Sequence, residues 1–503
     1  MLAPLFAAWE LQPDLDWAAL APEIIVTVGA VLLVVVDSLF LERARPYISL
    51  LAGATLLGAM IPVMYLAYDG TDHVMFGGAY VVDNFALLLK ALFLLSGYVV
   101  VLLSANYIAE GDYWENEYYT LLVSSLLGMV VMSSARDLVT MFVALELLSI
   151  PAYLLATWRK RDLKSNEAGI KYYLMGVFAS AVMLYGMSLL FGVSGSTVLA
   201  DIGASIGDSD TPDAIVVLGI IFVVVGFAFK VSAFPFHTWA PDTYEGAPTP
   251  VTAFLAVASK AAGFVALLQL VFVAFPGRSD VYEPLMWVLA AASMTAGNLM
   301  ALRQRNIVRL MAYSGIAQAG YMLAPLVVAG HSAESADSAL EAILSYLVIY
   351  AAMNLGVFAV ILAVARKTRS ADLDSYNGLF SYAPGLAVAM TVFLISLAGI
   401  PPFGGWFAKF QIVRALISAE SVSGVAMGVV VGVNSVIALF YYASITRRMW
   451  ADEVPDGDTT RIRVPASLAG AVVITVFVTL LFGVLPQTVG HFTEGSRLLA
   501  IGG

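Results

Sequence analysis

The chain has 503 residues, of which 60% are hydrophobic and 12% are charged, and its mean hydropathy is +0.88. Water-soluble proteins carry about twice that fraction of charged residues, so the composition predicts an integral membrane protein. The absence of cysteine excludes disulfides, thiolate metal sites and iron–sulfur clusters, and the net charge of −11 disfavours nucleic acid as a partner. The four histidines lie too far apart to suggest a haem pair, so we expect no redox centre in this chain.

Fourteen apolar runs are separated by polar turns and are long enough to cross about 30 Å of hydrocarbon as helices. They cover about residues 20 to 40, 46 to 68, 83 to 105, 117 to 134, 137 to 157, 167 to 192, 213 to 236, 248 to 275, 281 to 301, 305 to 329, 338 to 365, 379 to 418, 423 to 446 and 464 to 485. No basic residue precedes Arg43, so we interpret the first run as a retained helix and not as a signal peptide. The sequence therefore predicts an all-α membrane protein with about 14 transmembrane helices.

Basic residues concentrate in alternate loops. The loops after runs 1, 5, 9, 11 and 13 contain Arg43, Arg45, Arg159, Lys160, Arg161, Lys164, Arg303, Arg305, Arg309, Arg366, Lys367, Arg369, Arg447, Arg448, Arg461 and Arg463. The opposite side has only Arg136, Arg278 and Arg497. Because short cytoplasmic loops retain Lys and Arg, this asymmetry predicts a multi-pass protein of a bacterial inner membrane with both termini in the periplasm.

Several charged residues fall inside the apolar runs. The basic ones are Lys90, Lys171, Lys230, Lys260, Lys409 and Arg414, so most are lysines. Glu146, in the stretch ELLSIPAYLL, is the acidic counterpart. A charge inside a membrane helix costs about 2.5 to 3.5 kcal/mol on insertion scales, which a lipid-facing structural role does not explain. A buried lysine can shift its pKa toward neutrality whereas arginine cannot, so we interpret Glu146, Lys230, Lys260 and Lys409 as proton carriers.

A structural explanation without proton transfer also exists for each of these charged residues. Side chains that reach back to the membrane surface, or static ion pairs between helices, can also place charge in a membrane run. Lys171 lies about four residues into its run and Lys90 about one or two turns into its own, so both are open to that explanation. His237 is a possible proton relay or simply a satisfied donor, and the nearby Asp242 and Glu245 fit a helix-capping turn.

Two of the runs, the seventh and the twelfth, contain helix breakers next to a lysine. The run from about 379 to 418 would form roughly 60 Å of helix, about twice the hydrocarbon thickness. It is interrupted by GIPPFGGW, with Pro401 and Pro402, just before Lys409, and FPFHTWAP follows Lys230 in the same way. Paired interruptions predict inverted repeats and an ion site at the bilayer midplane, although ordinary proline kinks are an alternative. Freed carbonyls and water beside Lys409 would then form an exit for protons.

These stretches resemble the antiporter-like membrane subunits of respiratory complex I, and most of all their subunit N branch. The resemblance spans about residues 110 to 450 and includes ELLSIPAYLL, FKVSAFPFHTWAPDTYEGAPTPVTAFLAVASK and SLAGIPPFGGWFAKF. It implies a proton path through a glutamate on the fifth helix and lysines on helices 7, 8 and 12. Glu146, Lys230, Lys260 and Lys409 match those positions, with Lys171 and His237 as further relay candidates.

The resemblance also implies a domain organisation. It gives three N-terminal helices over 1–110, a repeat of helices 4 to 8 over 111–276, an inverted repeat of helices 9 to 13 over 277–450, and helix 14 over 451–503. The related subunit M typically has glutamate where this chain has Lys409, and subunit L has a long lateral helix after its last span. The two repeats differ in their polar residues. The second repeat has Gln318 at the position that corresponds to Glu146 of the first, and Asn434 instead of a lysine at the position that corresponds to Lys260. The proton route through the second repeat is therefore open.

The implied function is proton translocation as a subunit of an NADH-quinone oxidoreductase. In that assignment the chain binds no cofactor, and NADH, FMN, iron–sulfur clusters and quinone bind to partner subunits. The expected partners are other complex I membrane subunits, especially neighbouring antiporter-like and small subunits, and the lipid bilayer. The alternative is a Na⁺/H⁺ antiporter subunit of a multi-subunit cation/proton antiporter, which needs the same buried lysines. Co-purification with flavin and iron–sulfur subunits distinguishes the two.

Overall fold

The structure is a computed structural model that describes residues 15–40, 45–111, 115–207, 213–455 and 457–494, together with residues 496 and 498. Arg43 and Arg497 lie outside these residues. The described part is almost entirely helical, and twelve of its helices are long and apolar enough to cross a membrane. An all-helical membrane fold is therefore confirmed, whereas the count of fourteen spans stays a prediction.

The helices follow the apolar runs closely. In the first half they are α1 (Ala21–Phe40), α2 (Arg45–Asp69), α3 (Asn84–Ala109), α4 (Glu115–Ser134), α5 (Leu138–Ala156), α6 (Leu163–Ser194), α7 (Leu199–Ile206), α8 (Asp213–Lys230), α9 (Trp239–Gly246) and α10 (Thr249–Ala274). In the second half they are α11 (Ser279–Ala301), α12 (Ile307–Leu323), α13 (Ala333–Thr368), α14 (Leu379–Tyr382), α15 (Pro384–Ala398), α16 (Gly404–Ser418), α17 (Val422–Ala451), α18 (Ala466–Val484) and α19 (Gln487–Glu494). A small antiparallel hairpin of β1 (His73–Met75) and β2 (Tyr80–Val82) connects α2 to α3.

Short polar side chains begin several of these helices. Asp83 Oδ1 accepts a hydrogen bond from the backbone N–H of Ala86 at the start of α3, and Asp137 does the same for Thr140 at the start of α5. Asn306 caps α12 in the same way. These side chains satisfy backbone donors that the first helical turn leaves free, so they fix where each span begins.

The interior of the bundle is formed by the helices that are buried on all sides. α10 and α12 are buried along their whole apolar length and α13 is nearly so, whereas α1, α17 and α18 leave most of their length exposed. In a membrane protein the exposed apolar faces contact lipid or other subunits. Lys260 on α10 and Gln318 on α12 are therefore buried inside the bundle.

The first helix interruption follows Lys230. α8 ends at this residue, and helical structure resumes at Trp239 after the irregular segment 231–238. The carbonyl of Phe229 accepts hydrogen bonds from the backbone N–H of Ser232 and from the indole Nε1 of Trp239, both at 3.0 Å, so it is satisfied at the break.

The second interruption separates α15 from α16 and precedes Lys409. The chain turns at Gly399, which has φ of 87°, and the backbone N–H of Gly405 then donates to Ser396 Oγ at 3.0 Å. The two interruptions that the Gly/Pro pattern predicts are thus present in the structure.

Both described arginines of the sparsely basic side are paired with aspartates. Arg136, between α4 and α5, is buried and lies 2.8 Å from Asp83 Oδ2. Arg278 lies 2.7 Å from Asp213 and 3.1 Å from Asp280.

Candidate proton-transfer site

Lys230 is held by neutral hydroxyl groups. Its Nζ donates to Ser149 Oγ at 2.8 Å and to Tyr172 OH at 3.2 Å, and the residue is 3% exposed. The ring of Tyr172 stacks on Trp239, with centroids 4.5 Å apart, so the second half of the broken helix fixes the hydroxyl in place. Lys230 therefore sits in a buried site in which its described hydrogen-bond partners are hydroxyl groups and none of them is a carboxylate.

Glu146 lies one helical turn from Ser149 on α5, yet it does not pair with Lys230. Its Oε1 accepts a hydrogen bond from Ser180 Oγ at 2.6 Å, and none of the described ion pairs joins it to a lysine. A direct pair of Glu146 with Lys230, which would hold the lysine charged, is absent from this conformation of the described residues.

Lys171 lies at the basic side of the bundle and is half exposed. Its Nζ is 2.7 Å from Asp242 Oδ2 and 2.7 Å from Glu167 Oε1. The other oxygen of Asp242 accepts from Arg309 Nη1 at 2.7 Å, so this carboxylate joins α6 to α12. A cleft of about 140 Å³ opens here, lined in part by Glu245.

Asp242 belongs to the short helix α9, outside the apolar spans. Burial alone raises the pKa of this carboxyl, but hydrogen bonds from Lys171 and Arg309 outweigh burial and hold its pKa below the usual value. Asp242 is therefore ionised at neutral pH. The helix-capping role that its sequence position suggests is secondary to this bridge, since α9 has no side-chain cap at its N-terminus.

His237 lies in the irregular segment between α8 and α9 and is 6% exposed. Its ring stacks on Phe234, with centroids 5.1 Å apart, and its Nδ1 has no hydrogen-bond partner among the described residues. His237 lies between Lys230 and Asp242 in the sequence, but none of the described hydrogen bonds connects it to either residue. A relay through His237 therefore requires water.

Lys260 connects the two halves of the chain. Its Nζ donates to the backbone carbonyl of Gly315 on α12 at 2.5 Å. One turn later on α10, a methyl group added at Gly263 would lie 3.2 Å from Lys230 Cβ, so glycine here lets α8 and α10 approach closely. A π-helical stretch, Leu255–Ser259, immediately precedes Lys260. Such local widening is frequent at functional sites in helices.

A network of neutral polar groups lies between the backbone segments that bind Lys260 and Lys409, although none of the described hydrogen bonds joins it to either lysine. Ser314, next to Gly315, lies with its hydroxyl 2.5 Å from Tyr442 OH. Gln318 Nε2 donates to Tyr442 OH at 3.2 Å and to the Leu397 carbonyl at 3.3 Å, and its Oε1 accepts from Tyr346 OH. Hydroxyl groups both donate and accept, so they can pass a proton, whereas the amide of Gln318 can only orient them.

Lys409 is bound at the second helix interruption. Its Nζ donates to the carbonyl of Ala398, the last residue of α15, at 3.0 Å and lies 4.5 Å from the ring centroid of Tyr321. Gly399 packs against the lysine stem, since an added methyl group there would lie 2.6 Å from Lys409 Cδ. A carbonyl freed by the interruption thus holds the lysine, as the sequence predicts.

Comparison with known proteins identifies the family of this chain. A family model described as NADH:quinone oxidoreductase/Mrp antiporter matches residues 135–435. The chain is 37% identical over 490 residues to NADH-quinone oxidoreductase subunit N of Trichlorobacter lovleyi, covering 96% of this chain and 98% of that relative. It is 38% identical to the subunit N of Desulfitobacterium hafniense, with 96% and 99% covered. The chain belongs to the NADH-quinone oxidoreductase subunit N family.

Solved structures show the same fold. A chain of respiratory complex I from Thermus thermophilus matches this subunit N family member with a TM-score of 0.77 and 29% identity, covering 94% of this chain and all of that one. A chain of the Mrp complex from Dietzia sp. matches with a TM-score of 0.84 but 21% identity, over 96% and 97% of the two chains. At 21% identity, the similarity to the Mrp chain shows a shared fold only.

Sequence reasoning about this subunit N family member missed some polar residues inside the bundle. Glu341 falls within the eleventh apolar run and accepts a hydrogen bond from Gln411 Nε2 at 2.8 Å. Asn298 was missed as well; its Nδ2 donates at 3.1 Å to Oδ1 of Asn434, the residue already named from the sequence as the counterpart of Lys260. Glu341 could have been found from the sequence, because it is a charged residue inside an apolar run. The pairing of two asparagines 136 positions apart could not be predicted from the sequence.

Proposed function

We propose that the chain is the proton-translocating subunit N of an NADH-quinone oxidoreductase, with the transported proton carried by its buried lysines. The observation that carries this proposal is the environment of Lys230, Lys260 and Lys409. Each amine donates to neutral oxygen atoms, and none is paired with a carboxylate. A buried ammonium without a counter-charge is costly, whereas a neutral amine in the same site is tolerated, so each lysine can give up and regain a proton.

The proposed route begins at the basic side. A proton enters at the cleft of Lys171 and Asp242 and reaches Lys230 through water around His237. Movement of Lys230 between Ser149 and Glu146 controls its charge, because a carboxylate partner favours the ammonium.

The route then continues through the second half of the chain. The proton passes to Lys260, crosses the hydroxyl network around Tyr442, and leaves from Lys409. The neutral residue Gln318 takes the place of a second glutamate by orienting hydroxyls and not by titrating.

The repeat organisation and the orientation are part of the same proposal. We infer one repeat in 111–276 and an inverted repeat in 277–450. Support comes from matching packing, since α4 packs on α5 and α6 on the broken helix α8, while α11 packs on α12 and α13 on the broken pair α15 and α16. The basic side faces the cytoplasm of a bacterium, and both termini are periplasmic.

Electron transfer belongs to partner subunits in this proposal. NADH, FMN, iron–sulfur clusters and quinone bind there, and neighbouring antiporter-like and small membrane subunits contact the exposed apolar faces of this chain. The antiporter alternative has less support, because the Mrp likeness is one of fold, whereas the subunit N relatives are 37% and 38% identical over nearly the whole chain.

The experiment compares Lys230→Ala and Lys230→Arg in the assembled, reconstituted complex. We expect both to lower the number of protons pumped per quinone reduced, because alanine removes the carrier and arginine keeps its charge without releasing a proton. Lys160→Ala is the matched control, since that side chain is 69% exposed and lies outside the route. Normal coupling in Lys230→Ala would exclude this lysine as a carrier.

A further inference from the structure

A second set of buried charges lies outside both proposed repeats, between α1, α3 and the hairpin. Glu23 Oε1 and Lys90 Nζ are 2.6 Å apart, and their side chains are 10% and 0% exposed. Tyr80 OH on strand β2 donates to the same oxygen of Glu23 at 2.7 Å. Lys90 therefore does not reach back to the membrane surface but is enclosed with a carboxylate.

A second ion pair adjoins this one. Asp83, which caps α3, follows strand β2 and pairs with Arg136, and both side chains are 3% exposed or less. Arg136 Nη1 also donates to the Ser133 carbonyl, which accepts as well from Gln269 Nε2 on α10. The charge cluster is thus joined to the far end of the helix that carries Lys260.

The hydrogen bonding of this cluster is incomplete. Glu23 Oε2, Lys90 Nζ and Arg136 Nε have no hydrogen-bond partner among the described residues, although all three residues are more than nine-tenths buried. The 2.6 Å approach of Lys90 Nζ to Glu23 Oε1 is thus an ion-pair contact without hydrogen-bond geometry. Burying an ion pair is costly even when every polar atom is satisfied, and apolar residues of similar size commonly stabilise a fold as well or better. A purely structural role therefore explains the pair poorly.

The cluster also approaches the surface on the hairpin side. His73 on β1 pairs with the partly exposed Asp16 at 2.8 Å. The pKa of the neighbouring Asp72 is raised by burial and, second, by the negative charge of Asp83, so the surface carboxyl and the buried one influence each other. Titratable groups thus extend from the surface to the buried pair.

We propose that Glu23 and Lys90 form a proton-exchanging pair that serves as a second outlet, besides the one at Lys409, toward the hairpin side, an inference that rests on the proposed function. The proton moves from Lys90 Nζ to Glu23 Oε1, which leaves a neutral amine and a neutral carboxylic acid. Glu23 then releases the proton to water at the hairpin side, and Lys90 takes up another from the interior. One proton is moved, and both starting charges are restored.

The test uses two variants of the assembled complex. Lys90→Arg keeps the ion pair but cannot cycle a proton, and the double variant Glu23→Leu, Lys90→Met removes both charges without leaving either ion unpaired. We expect both to show a loss of protons pumped per quinone reduced, with quinone reduction continuing. Glu110→Gln is the control, because it breaks an exposed ion pair with Arg366 at the other end of α3.

A wild-type pumping ratio in either variant overturns the proposal. A pair with a purely structural role would tolerate replacement of Lys90 by arginine, or of both residues by apolar ones, without a change in pumping. If one variant does not assemble, the other decides. Lys230→Ala separates this inference from the function on which it rests. Reduced pumping in Lys230→Ala with normal pumping in Lys90→Arg refutes the outlet alone, whereas normal pumping in Lys230→Ala refutes the proposed carrier route.

Discussion

Replacing Gly399 by alanine tests whether Lys409 must keep its position at the second helix interruption. Gly399 has φ of 87° and ψ of 39°, a left-handed conformation that costs an L-residue about 1 to 2 kcal/mol. The added methyl group would lie 2.6 Å from Lys409 Cδ, whereas carbon atoms normally approach to about 3.5 to 4.0 Å. The lysine stem must therefore move, and the 3.0 Å hydrogen bond from its Nζ to the Ala398 carbonyl is lost.

This backbone penalty of about 1 to 2 kcal/mol reduces the population of the present turn, on which the lysine position depends, roughly 5- to 30-fold relative to relaxed turns. We expect the Gly399→Ala complex to assemble and reduce quinone, but to pump severalfold fewer protons per quinone reduced. Proton uptake into or release from proteoliposomes is measured with a pH-sensitive dye during NADH oxidation. Gly385→Ala, in the helix that ends just before Gly399 and with nothing within 4 Å of the added methyl group, should pump normally. Equal pumping by the two variants would refute the requirement for this lysine position.

Three further predictions use the same complex. Asp242→Asn removes the charge that joins α6 to α12, so proton uptake and the pumping ratio should both fall, and an unchanged ratio would exclude this entrance. Replacing Pro401 and Pro402 by alanine should favour a continuous helix, since each interior proline disfavours one by about 3 kcal/mol, and should impair pumping without preventing assembly. Because the chain has no cysteine, single-cysteine labelling is specific, and Arg161→Cys should react from the cytoplasmic side and Glu334→Cys from the periplasmic side. Labelling from the reverse sides would contradict the proposed orientation.

The sequence was sufficient to find the lysines and the interruptions next to them. A charge in an apolar run is visible without any alignment, because the membrane disfavours it wherever the helix points. Proline and glycine clusters likewise mark a break locally. Lys230 and Lys409 could therefore be predicted together with the interruptions beside them, and the structure places both lysines at those positions.

The partners of these residues could not be predicted, since they come from distant parts of the chain. Ser149 precedes Lys230 by 81 residues, and Asp242 precedes Arg309 by 67. No periodicity connects such positions, and only the packing of the helices brings them together. Glu23 was missed for a different reason, because an acid at the first turn of a span resembles an ordinary residue at the membrane surface.

The most direct test of proton transfer through this chain is the pumping ratio of a Lys260→Met complex. Lys260 joins the two halves of the proposed route through its hydrogen bond to the Gly315 carbonyl, and methionine fills a similar volume without a titratable group. We predict that the assembled variant reduces quinone but pumps clearly fewer protons per quinone than the wild type and than Lys160→Met, an exposed control. A Lys260→Met complex that pumps at the wild-type ratio would contradict transport through the buried lysines.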